Sequence, residues 1–117
     1  MKTCIFPGQG SQSRGMGAEL FDAFPEHTAK ADEILGYSIK ALCLEDPNGE
    51  LDSTRFTQPA LFVVNALSYL KWRNEGNPEP DYLAGHSLGG AIAGLYASMY
   101  FQDTQSLLLV DTAGRLP

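Results

Sequence analysis

The chain has 117 residues, of which 44% are hydrophobic, 19% charged and 10% aromatic, a balance that fits one small globular domain and excludes a disordered or fibrous chain. Lys and Arg total 8 against 14 Asp and Glu, a formal net charge of -6, and no basic cluster is present, so nucleic acid and anionic membrane are poor partners. No apolar run approaches the ~20 residues of a membrane span, the N-terminus lacks a signal peptide's apolar stretch, and two cysteines, Cys4 and Cys43, make neither a disulfide framework nor a metal knuckle; the expectation is a cytoplasmic protein with reduced thiols, no metal and no bound cofactor.

Lys2 to Phe6 is short, apolar and closed by Pro7-Gly8, and it reads as a buried strand of a parallel sheet. The loop Gly8-Gln9-Gly10-Ser11-Gln12 follows. Gly15-Met16-Gly17 leads into a helical stretch through about Phe24, broken by Pro25. Glu26 to Leu35 reads as a helix closed by Gly36, and Ser38 caps a short helix to Leu44. Glu45 to Thr54, with Pro47, Asn48 and Gly49, is loop. Pro59 opens a long helix to about Glu75, apolar nearly all round and therefore buried. Tyr82 to Gly85 is a second strand, Leu88 to Tyr100 a helix rich in small residues, and Leu107 to Val110 a third strand. The expected architecture is one domain over residues 1–117: an α/β three-layer sandwich with about three parallel strands and helices on both faces. Cys4 and Cys43 are expected in the core, and Tyr69 and Trp72 are expected to pack.

Gly85-His86-Ser87-Leu88-Gly89 matches Gly-x-Ser-x-Gly between an expected strand and an expected helix, the context this nucleophile elbow requires. The glycines allow a sharp turn that lifts the Ser87 hydroxyl over the C-terminal edge of the sheet. There a helix N-terminus offers free N–H groups to a developing oxyanion, the Leu88 N–H first among them. The competing reading is a tight structural turn. A second donor has to come from another loop at the same sheet edge. The Gly8–Gln12 loop qualifies, because its glycines let backbone approach a ligand and Gln9 carries an amide that can donate. A plain glycine-rich turn is the alternative there. A dinucleotide-binding reading fails, since Ser13 stands where Gly-x-Gly-x-x-Gly needs its third glycine. Gly8, Gly10 and His86 are expected to border the substrate.

In order along the chain, Phe6-Pro7-Gly8-Gln9-Gly10-Ser11-Gln12, Gly15-Met16-Gly17, Thr57-Gln58-Pro59-Ala60 and Gly85-His86-Ser87-Leu88-Gly89 resemble the malonyl-CoA:acyl-carrier-protein transacylase family, including the free-standing acyltransferases of polyketide synthases. The resemblance spans about residues 1–89. It implies Ser87 as the acylated nucleophile, Gln9 and the Leu88 N–H as the oxyanion hole, acyl-CoA as donor and an acyl carrier protein as partner. Beyond the elbow, Gly90 stands where these transacylases carry an acidic residue. The stretch from the elbow to Leu107–Gly114 looks like the elbow helix and next strand of α/β-hydrolases, so a chimera joined near residues 85–90 is also read. The transacylases' downstream His and carboxylate-binding Arg are not matched, and Arg115 is not given that role.

Two histidines, His27 and His86, are the available imidazole bases. His86 adjoins the nucleophile and is expected to pack beside the elbow; His27 opens a helix and is expected in solvent. Asp111 ends the third strand at the Ser87 edge and is a supporting candidate. Without a base, a serine enzyme keeps about 10³–10⁴-fold over water from its oxyanion hole and binding. The leading expectation is therefore a weak carboxylesterase on small activated esters or thioesters. Acyl transfer from coenzyme A to a carrier protein stands second, and a catalytically silent scaffold third. Two unpaired sheet edges predict self-association as a dimer.

Overall fold

The described part of the chain runs β1 (Thr3–Phe6), α1 (Leu20–Ala23), α2 (Pro25–Leu35), α3 (Ile39–Leu44), α4 (Thr54–Asn74), β2 (Tyr82–His86) and β3 (Ser106–Val110). The computed structural model describes residues 3–86 and 106–110. The strands form one parallel sheet in the order β1-β2-β3. Phe6 pairs with Gly85, and His86 with Val110. The helix expected over Leu88–Tyr100 lies outside the described residues.

Local signals explain the short helices. Ser38 accepts a hydrogen bond from the Ala41 N–H at 3.1 Å and starts α3. Gly36 ends α2 with φ 83°, a left-handed turn in which its N–H reaches the Asp32 carbonyl. Pro25 does not merely break the preceding helix; it is the first residue of α2, where its missing N–H is no loss.

Two expected boundaries are corrected. The helix before Phe24 shrinks to Leu20–Ala23, because Gly15 and Gly17 both hold positive φ, at 96° and 76°, and keep the chain in turns. A Cβ on Gly17 would lie 3.1 Å from both Phe21 Cε2 and Val64 Cγ2, whereas one on Gly15 would meet nothing. Gly15→Ala should then show the backbone penalty alone, about 1–2 kcal/mol. Gly17→Ala should add an overpacking penalty of about 1–3 kcal/mol. Urea midpoints of the two variants check the order; equal losses would remove the packing argument.

The long helix begins at Thr54, and Pro59 sits inside it. Pro59 denies the Arg55 carbonyl its hydrogen bond four residues on. The start is held instead by Thr57, fully buried, whose hydroxyl donates to the Ser53 carbonyl at 2.9 Å and to that of Leu51.

The core lies among helices more than on the sheet. Phe21 of α1, Ile39, Leu42 and Cys43 of α3, Leu51 of the following loop, and Ala60 and Leu67 of α4 form one buried cluster. α4 is not buried all round: it is buried along one stripe, half-covered beside it, and exposed at Thr54, Arg55, Ser68, Lys71 and Asn74. It also backs the sheet, with the Tyr69 ring 6.2 Å from Phe6 and 6.1 Å from Trp72. The first strand is not buried on both faces as expected: Phe6 is buried but Ile5 is 74% exposed. Successive strand residues face opposite ways, and among the described residues α4 covers the Phe6 side.

Cys43 is buried as expected, but Cys4 is only half-buried. Burial, then the nearby Asp46 charge, pushes the Cys43 thiol up to about 12, and burial raises Cys4 as well. Thiols with raised pKa stay protonated at pH 8 and react slowly. Iodoacetamide at pH 8 should label Cys4 slowly, and Cys43 only after denaturant is added. Peptide mapping that finds Cys43 labelled first in the native protein would contradict its place in the core.

Candidate active site

Parallel pairing brings two of the sequence motifs to one edge. Phe6 lies beside Gly85, so the loop that starts at Pro7 and the chain that passes His86 leave the sheet side by side, about 4.8 Å apart at the backbone. Val110 pairs with His86 on the other side. Ser87 and Leu88, which follow His86 in the sequence, and Asp111, which follows Val110, lie outside the described residues. The expected site residues that are described are Gly8, Gln9, Gly10, His27 and the backbone of His86.

Gly8 is buried against the sheet end, while Gln9 and Gly10 are exposed. The turn is closed by two bonds onto the Gly8 carbonyl, from the Ser11 N–H at 3.2 Å and the Ser11 hydroxyl at 2.7 Å. The Gly10 N–H donates to Gln12 Oε1 at 2.7 Å, and Gly10 itself holds φ 105°. Both of those N–H groups are therefore committed to the loop's own shape. Among the described residues the Gln9 N–H has no hydrogen-bond partner. The Gln9 side chain, proposed from sequence as the donor, has its amide turned to Thr54 Oγ1 at 3.0 Å. The loop thus presents the Gln9 backbone, with its side chain acting as a tether.

The tethers come from the start of α4 and the loop before it. Gln12 Nε2 donates to Asp52 Oδ1 at 3.1 Å. That loop is shaped by Asp46, itself at φ 45°, whose carboxylate accepts from the Glu50 and Leu51 N–H groups at 2.7 and 3.2 Å. Leu51 is 3% exposed and pins the loop to the core. From α4, buried Asn65 donates through Nδ2 to the Pro7 carbonyl at 3.0 Å. Asn65, Asp52 and Thr54 carry no motif. The one signal for Asn65 was a polar residue alone in the apolar run Ala60–Leu67.

His27 is exposed on α2 as expected, its ring edge-on to Phe24 at 5.9 Å. That contact sets it at the α1–α2 corner. Among the described residues no three His, Cys, Asp or Glu side chains gather to hold a metal, and no helix is long and apolar enough to cross a membrane.

Comparison with known proteins connects these loops. The acyl transferase domain family matches residues 3–116. The polyketide biosynthesis malonyl CoA-acyl carrier protein transacylase PksC of Bacillus subtilis strain 168 is 58% identical over 116 residues, covering 99% of this chain and 40% of that protein. The malonyl CoA-acyl carrier protein transacylase of Escherichia coli strain K12 is 43% identical over 95% of this chain and 37% of its own length. In structure, the malonyl CoA-acyl carrier protein transacylase of Burkholderia pseudomallei superposes with a TM-score of 0.75 at 57% identity, over 79% of this chain and 33% of that one. A malonyl-transacylase solved in complex with a type II polyketide synthase acyl-carrier protein superposes at 0.69 with 42% identity, over 78% of this chain and 30% of that one. The chain thus spans 40% or less of the length of these curated relatives. Since one family spans residues 3–116, across the junction placed at residues 85–90, the hydrolase-like continuation and the chimera find no support.

Proposed function

Because this chain belongs to the acyl transferase domain family, we propose that it carries the nucleophile and oxyanion hole of an acyltransferase that moves an acyl group, malonyl first among candidates, from coenzyme A to an acyl carrier protein. The observation that carries the reading is the register of β1 against β2, which sets the Gly8–Gln12 loop beside the strand that leads into Gly85-His86-Ser87-Leu88-Gly89. The order of the two enzymatic readings is thereby reversed. The weak carboxylesterase rests on the want of a base and of a carboxylate-binding Arg, and neither outweighs relatives that match 99% of the chain.

In this reading Ser87 stands on the turn between β2 and a helix that begins near Leu88, in a three-layer α/β sandwich. Ser87 Oγ attacks the thioester carbonyl, and its proton is carried by water to the departing coenzyme A sulfur. The carbonyl oxygen becomes an oxyanion between the N–H groups of Gln9 and Leu88, the coenzyme A thiol departs, and an acyl ester remains on Ser87. The thiol of the carrier protein then attacks the ester through the same oxyanion site. Two fixed amide donors stabilise both tetrahedral intermediates, so one loop geometry serves both halves of the cycle.

The test is partition. The protein is loaded from malonyl-CoA and then offered a phosphopantetheinylated carrier protein in water. The acyl group should appear on the carrier faster than as free acid. Loss chiefly to water, unchanged by the carrier, would return the esterase to first place.

A further inference from the structure

We infer that Asn65 is a positioning residue for the oxyanion loop, acting through the carbonyl of Pro7; this deepens the acyl-transfer reading above and rests on it. Asn65 lies in the most apolar part of α4 and is 6% exposed. A buried amide without a partner is costly, and this one spends its N–H on a residue 58 positions away, Pro7, at 3.0 Å. Pro7 is the first residue past β1. Having no N–H, it offers the sheet and its neighbours only a carbonyl. That carbonyl belongs to the peptide that precedes Gly8, and Gly8 is the one residue between it and the Gln9 N–H. Fixing the Pro7 oxygen therefore limits the rotation that would swing the Gln9 N–H off its target.

The two ends of the loop are held differently. At the far end the Gly10–Gln12–Asp52 chain of hydrogen bonds is exposed, where water competes for every partner. At the near end the Asn65–Pro7 bond is part-buried, its donor coming from a residue 6% exposed, in the wall of a groove of about 390 Å³ between the strand and α4. Water competes less for this bond than for the exposed ones, so it is the better placed of the two to hold the Gln9 N–H in position. Removing such a donor outright lowers turnover about 10²–10³-fold; displacing it by losing its anchor should cost about 10–100-fold.

The experiment is pre-steady-state acylation of Ser87 from malonyl-CoA, read by intact mass in the intact protein. Asn65→Ala should lower the maximal acylation rate about 10–100-fold and leave the apparent Kd for malonyl-CoA within twofold, with unchanged circular dichroism. Asn65→Asp has the same shape but can donate only while protonated; ionised, it repels the Pro7 oxygen. Its acylation rate relative to wild type should therefore rise as pH falls from 8 to 5, since burial lifts a carboxyl pKa. If wild type acquires no acyl group at Ser87, the functional reading itself fails. If wild type is acylated but Asn65→Ala keeps its rate within twofold, or loses it only in step with unfolded fraction while the Asn65→Asp ratio stays flat with pH, the positioning role is overturned.

Discussion

Ser87→Ala is expected to leave the protein folded and unable to carry an acyl group. After incubation with malonyl-CoA the wild-type mass should rise by one acyl unit, and the variant's should not. In steady state the variant should transfer nothing through an ester, and any residual turnover should be no more than binding and an oxyanion hole achieve alone. The loss follows from mechanism: without Oγ no ester forms, and the carrier thiol would have to meet the thioester directly. Neither cysteine is a ready competing nucleophile. The Cys43 thiol is pushed up to about 12 and Cys4 is raised as well, so neither supplies appreciable thiolate at pH 7–8. An adduct of equal yield on both proteins would move the chemistry away from the elbow and leave the silent scaffold as the surviving reading.

The parts of this site that the sequence announced are those encoded by neighbours. The Ser38 cap, the Gly36 stop and the spans of β1, β2 and β3 depend on residues within one or two turns of each other, and each falls within two residues of expectation. The start of α4 was misplaced because Pro59 carries the strongest local signal for a first helical position. The real first turn is fixed by Thr57 reaching back to Leu51 and Ser53, a bond with no sequence signature. The Gly8–Gln12 loop was legible as a glycine-rich segment, but not the hydrogen bonds that fix its shape. The proposed function puts the backbone of Gln9 at the substrate because the Gly10 and Ser11 N–H groups are bonded within the turn and the Gln9 amide is tied to Thr54, contacts with no sequence signature. Asn65 illustrates the limit most sharply. Its partner is 58 residues away, and an asparagine in an apolar helix looks the same whether its amide supports a loop or merely survives burial.

The largest stability effect is expected from Phe21→Ala. Phe21 is 1% exposed, the largest of the fully buried side chains among the described residues, and sits in α1 where that short helix meets α2 and α4. Four residues make too short a helix to stand unaided; α1 exists because its apolar side chains are packed. Truncating the ring should cost about 3–5 kcal/mol, the transfer term plus the cavity left behind. That is a large share of the 5–15 kcal/mol that holds a typical domain together. Collapse into the hole is hindered on both sides. The Thr28 hydroxyl holds the Phe21 carbonyl at 2.9 Å and fixes the backbone, while Gly17, with no side chain to offer, faces the ring edge. Ile34→Ala is the control. Ile34 is 72% exposed on α2, and its truncation should stay within about 0.5 kcal/mol. The consequence reaches the active site through α4, which packs against α1 on one side and holds Pro7 through Asn65 on another. Urea titration should thus show Phe21→Ala with a much lower midpoint than wild type. At urea concentrations where part of the variant population is unfolded, acylation should fall in parallel. A midpoint shift no greater than that of Ile34→Ala would mean that the helical cluster is not what holds the sheet edge in place.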